Sequence, residues 1–127
     1  MTFDYNHNTY RATVVRWSDG DTVHLIVDLG QDTLVKPSKG YRIARVDAPE
    51  TAKRRGVTDA EKKRGLALKA RLNKDYPEGT TVWISTSKGG RFDRWVAEVF
   101  LPDGDGGWFN MSDWLLTEGL AEPYREG

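Results

Sequence analysis

The chain of 127 residues contains no cysteine, which excludes a disulfide framework, a thiolate nucleophile and a cysteine-based zinc site. Histidine is nearly as scarce, at two residues. His7 lies in a polar leader and His24 inside an alternating apolar stretch, so both read as ordinary leader and strand residues rather than ligands or bases. No apolar run approaches the roughly 20 residues needed to span a membrane, and no membrane partner is expected. Residues 1–10 are polar and lack the apolar centre of a signal peptide, so a cytoplasmic location is expected. Net charge is also absent: 19 basic side chains balance 19 acidic ones.

That zero hides a strong asymmetry. Residues 36–74 carry 13 basic and 4 acidic side chains, a net +9, whereas residues 1–35 carry −3 and residues 75–127 carry −6. A concentrated cationic segment in the middle of the chain points to an anionic partner. At this length one core is expected, giving a single domain over residues 1–127 with residues 1–9 as leader and 125–127 as tail.

The cationic segment contains Arg42-Ile43-Ala44-Arg45-Val46-Asp47-Ala48-Pro49-Glu50-Thr51. It reads as a strand with Arg42, Ala44 and Val46 on one face and Ile43, Arg45 and Asp47 on the other. Pro49 ends that strand and sends Glu50 off on a fixed turn. Upstream, Asp19-Gly20-Asp21-Thr22 joins two β-branched, aromatic-rich runs at residues 10–17 and 22–28, the pattern of a hairpin that would place Asp21 at a strand start. If Asp21 and Asp47 met without a cation, each would oppose ionisation of the other.

Downstream, residues 29–39 read as a hairpin extension. Lys53, Arg54 and Arg55 form a basic loop suited to a nucleic-acid backbone. Thr58 and Glu61 form a capping box that opens a helix to about residue 73, with Gly65, Leu68 and Leu72 on its packing face. Residues 80–86 and 95–101 read as two more strands, residues 102–107 as an acidic turn, and Ser112 as the N-cap of a short helix through residue 118 with Gly119 after it. Five strands with a helix between the third and fourth, and a C-terminal helix, is the order of an α+β, mainly β OB-fold, a Greek-key barrel.

Asp19-Gly20-Asp21-Thr22, then Arg42 through Glu50, then Arg94-Trp95-Val96-Ala97, and finally Glu118-Gly119-Leu120-Ala121 with Tyr124, resemble the staphylococcal nuclease (thermonuclease) family in order and spacing. The resemblance spans residues 10–124. It implies the same OB-fold and a monomeric Ca²⁺-dependent nuclease that cuts single-stranded DNA and RNA with little sequence preference, leaving 3′-phosphate ends. It further implies that Asp21, Asp47 and the backbone carbonyl of Ala48 hold Ca²⁺, a hard ion taking about six to eight oxygen ligands. Glu50 would orient or deprotonate the attacking water. Arg42 and Arg94 would grip the scissile phosphate, and Phe92 and Tyr124 would contact bases. One loop departs from the family pattern: members read Asp-Lys-Tyr-Gly-Arg where this chain has Gly90-Arg91-Phe92-Asp93-Arg94. Phe92 keeps a stacking ring without the hydroxyl. Arg91 is the alternative to Arg94, with Trp95-Val96-Ala97 favouring Arg94. Two other functions stay open: a non-cutting OB-fold module that binds nucleic acid or protein, and a different nuclease class using Glu61-Lys62-Lys63, a string that falls at a helix start rather than on a strand.

Overall fold

The structure is a computed structural model that describes residues 9–88 and 94–124. Strand β1 (Thr9–Asp19) turns directly into β2 (Thr22–Asp28), and a short β3 (Leu34–Val35) folds back on β2. Then come β4 (Tyr41–Ile43), β5 (Val46–Asp47), helix α1 (Asp59–Asp75), β6 (Thr81–Lys88), β7 (Trp95–Pro102), β8 (Trp108–Asn110), helix α2 (Met111–Thr117) and β9 (Glu122–Pro123). Five of these close a barrel in the order β1-β6-β7-β4-β2, with β2 returning to β1. The sheet is mixed, because β4 runs parallel to β7 while the other barrel pairs are antiparallel.

Closure falls on β1, which is long enough to pair with both β2 and β6. Its register with β2 shifts between Val14 and Arg16 and again between Trp17 and Asp19, irregularities that bend a strand and raise its twist. The second irregularity is held from outside. Asn73 of α1 accepts from the Trp17 amide at 3.1 Å and donates to the Trp17 carbonyl at 3.0 Å, standing in for a neighbouring strand. The buried Trp17 ring is satisfied by its Nε1–H donating to the Tyr76 carbonyl at 3.0 Å.

The core is mostly aliphatic, with Val14, Leu25, Ile43, Ile84, Val99 and Leu101 buried beside the aromatic rings of Trp17 and Tyr41. Leu68 and Leu72 of α1 join the same core, as the helical spacing of residues 65, 68 and 72 predicts, and so do Met111 and Leu115 of α2. Among the described residues no helix is long and apolar enough to cross a membrane.

Three sequence expectations change. The stretch from Arg42 to Asp47 is two short strands, because Arg45 adopts φ 67° and turns the chain between them. Ile43, Ala44 and Val46 are consequently all buried, and the expected alternation of faces fails. Helix α2 is capped by Asn110, whose side chain accepts from the Asp113 amide, not by Ser112. Ser112 is fully buried inside the helix, and its hydroxyl donates to the Ala44 carbonyl at 2.6 Å. Glu61 does not close a capping box with Thr58. Thr58 does cap α1, accepting from the Glu61 amide at 3.1 Å, but the Glu61 carboxylate reaches another partner described below.

Candidate functional site

Three separate pieces of chain meet beside the β1–β2 turn. Gly20 allows the meeting, since a Cβ there would lie 2.9 Å from Ala48 Cβ and 3.1 Å from Leu68 Cγ. With no side chain in the way, the turn seats directly on the 48–51 segment and on α1. Asp21 then binds both neighbours: its carbonyl accepts from the Ile43 amide at 2.8 Å, and its Oδ2 accepts from the Ala48 amide at 3.1 Å. Asp19 adds a second tie, accepting from the Thr51 hydroxyl at 2.6 Å. The two acids of the hairpin turn thereby fix the position of the segment that carries Asp47, Ala48 and Glu50.

Burial pushes the Asp21 carboxyl above its ordinary value of 3.8; the Ala48 amide and the positive Arg42 oppose that shift, while Asp19 and Asp47 add to it. Asp21, Asp47 and Arg42 therefore share one electrostatic neighbourhood. Asp47 is exposed, on β5, directly across from Glu122 of β9. Two carboxylates in mutual repulsion, one of them half-buried, fit a hard divalent cation in donor chemistry, and the backbone of the same turn carries the third expected ligand at Ala48. Among the described residues no group of three or more His, Asp or Glu side chains converges at metal-holding spacing.

Arg42 lies on β4 with its Nη2 donating to the Val46 carbonyl at 3.2 Å and its guanidinium 3.9 Å above the Tyr124 ring. Tyr124 is held in turn by its amide, which donates to the Arg45 carbonyl at 2.9 Å. Sequence places these two residues 82 positions apart, and only the return of the chain at β9 stacks them. Arg94 stands just before β7, two residues ahead of Val96, the parallel partner of Arg42. In the basic loop, Lys53 pairs with Asp59 at 2.9 Å, and Arg54 and Arg55 are exposed. Arg91 and Phe92 lie outside the described residues.

Glu50 is half-buried, and its backbone is gripped by α1. Its amide donates to Glu61 Oε2 at 3.1 Å. A Cβ at position 65 would fall 2.7 Å from both the Glu50 carbonyl carbon and the Pro49 carbonyl oxygen, and closer still to the Glu50 oxygen. Gly65 is thus where the helix backbone rests on the Pro49–Glu50 turn. Beyond this contact a groove of about 630 Å³ runs between α1 and the 119–122 segment, with Asp47 and Glu61 at its lining and Arg64 and Arg71 along the helix.

Residue patterns pointed to Glu61 and Gly65 as capping and packing residues, but not to their shared partner. Arg45 carries no local signal of its role, as its partners are all far away in sequence. It forms a two-pronged pair with Glu98, both contacts at 2.8 Å, and reaches Asp113 at 2.9 Å and Asn110 at 3.3 Å. The hydrogen bonds from Arg45 hold the Glu98 carboxyl below its usual range, against the cost of its partial burial. This network rivets the sharp β4–β5 turn to β7, β8 and the start of α2. No family model matches the chain and no curated protein matches it.

Proposed function

We propose that this protein is an OB-fold nuclease that hydrolyses phosphodiester bonds of single-stranded DNA and RNA with the help of Ca²⁺. The observation that supports the reading is the Asp21 carboxylate tied to the Ala48 amide within the field of Arg42 and Asp47, which puts two carboxylates, the Ala48 backbone and one arginine beside the β1–β2 turn. Asp21, Asp47 and the Ala48 carbonyl would hold the ion. When bound, Ca²⁺ would neutralise charge on the phosphate and favour ionisation of a nearby water.

The side chains would do the rest. Glu50 takes a proton from the attacking water as its oxygen bonds to phosphorus. The P–O5′ bond breaks, the 5′ oxygen leaves as an alcohol once protonated by solvent, and the phosphate stays on the 3′ side. Arg42 and Arg94 offset the charge that builds on the non-bridging oxygens, a role for which the planar, permanently charged guanidinium suits better than lysine. Arg91 is the alternative to Arg94 in that role. Lys53, Arg54 and Arg55 attract the backbone of the strand in a salt-sensitive way, and Tyr124 and Phe92 stack on bases.

One arrangement favours a second reading, a binding module that does not cut. Arg42 is already engaged by Tyr124 and by the Val46 carbonyl, an arginine–aromatic platform of the kind on which bases stack. Hydrolysis of a fluorescent single-stranded DNA separates the two. Cutting that needs Ca²⁺, stops with chelator and is lost in Glu50→Gln supports the enzyme. Salt-sensitive binding with no cutting under any of these conditions refutes it in favour of the module.

A further inference from the structure

Granting Glu50 its proposed part in hydrolysis, we infer that Glu61 is a positioning residue that sets where the Glu50 carboxylate points. Its own carboxylate accepts from the Glu50 backbone amide at 3.1 Å, across 11 residues of sequence. Glu61 is itself fixed, because its amide is bound by the Thr58 side chain at the first turn of α1. One turn further along the helix, Gly65 brings the helix backbone against the carbonyls of Pro49 and Glu50. The amide side of Glu50 is therefore held by a hydrogen bond and the carbonyl side by contact. Together these leave the residue little freedom to rotate about its own backbone. A base that must sit within hydrogen-bonding reach of one water loses rate steeply when its backbone drifts, by about a hundredfold for a 1 Å displacement. A charged acceptor also makes the stronger kind of hydrogen bond to an amide. An ordinary capping box would spend this carboxylate on the helix's own N-cap. Here it leaves the helix and serves the neighbouring turn.

The test compares Glu61→Ala, Glu61→Gln and Ala70→Gly in single-stranded DNA cleavage, with amide NMR spectra of each. Glu61→Ala is expected to lower kcat about 10- to 100-fold with KM within about twofold, and to speed solvent exchange of the Glu50 amide. Glu61→Gln keeps an acceptor oxygen at the same reach and is expected to restore kcat to within about threefold. Ala70→Gly weakens α1 on its exposed side without touching Glu50, Glu61 or Thr58, so its kcat should stay near wild type although its melting temperature falls. Wild-type kcat in Glu61→Ala overturns the proposal. An equal kcat loss in Ala70→Gly overturns it too, since helix stability would then suffice as the cause. A wild-type protein that does not cleave at all fails one step earlier: the nuclease reading is refuted and the positioning role with it.

Discussion

Replacing Gly65 with alanine sets two effects of similar size against each other. In an exposed helix, alanine in place of glycine stabilises by about 1 kcal/mol. At this position the new Cβ would lie 2.7 Å from the Pro49 carbonyl oxygen and the Glu50 carbonyl carbon, about 0.7 Å short of the 3.4 Å at which ordinary contact begins. The obstructing atoms are backbone, and they cannot swing aside as a side chain would. Forced overpacking of this kind costs about 1–3 kcal/mol, so the net change expected is a loss of about 1 kcal/mol in urea denaturation. The rate is the sharper readout. The Glu50 oxygen lies closer still, so relief of the contact requires the 49–50 turn and α1 to part by more than about 0.7 Å, and kcat for single-stranded DNA cleavage should fall about 10-fold or more. Ala70→Gly is the control: it lies on the exposed side of the same helix and should lose about 1 kcal/mol without changing kcat. A Gly65→Ala protein that is more stable than wild type and fully active would show that α1 does not press on the Glu50 turn, and the reasoning would be refuted.

Asp21→Asn is expected to be inactive yet more stable than wild type near pH 7. The folded carboxyl titrates above 3.8, so the native state binds more protons than the unfolded chain in the window above that value, and stability falls as pH rises through it. Denaturation curves between pH 4 and 7 should be flatter in the variant, and an unchanged slope would count against burial as the cause. Arg45→Ala should lose about 1 kcal/mol, less in 1 M salt, because its pairs are partly exposed. Glu98 titrates low, so its contribution is present above its ordinary 4.5 and fades as pH falls through the folded value; the Arg45→Ala deficit should therefore shrink in acid. Arg42→Lys keeps the charge but loses the fork, and should retain salt-dependent DNA binding while kcat/KM falls on the order of 100-fold. Equal activity in that variant would remove Arg42 from the phosphate.

Local patterns in the chain determined a good deal by themselves. The Asp-Gly hairpin, the apolar alternation of β1, β2, β6 and β7, the Thr58 cap and the 65-68-72 face of α1 are all written in neighbouring residues, because turn chemistry and side-chain periodicity act within a few positions. Asp21, Asp47 and Glu50 were legible as candidates for the same reason, as carboxylates at or beside stiff turns, and Arg42 through the order and spacing that resemble a known family. What tertiary structure alone decided is which groups meet. Arg45 takes a positive φ that its own sequence does not request, and the cost is offset by Glu98, Asn110 and Asp113 on three other elements. Ser112 looks like a helix cap, but the Ala44 carbonyl claims its hydroxyl once α2 docks. Glu61 carries the signature of a capping box and bonds to Glu50 instead, because Gly65 lets the helix approach that turn closely enough for an amide to come within reach. In each case a short-range preference of modest strength yields to a contact between segments that only barrel closure brings together.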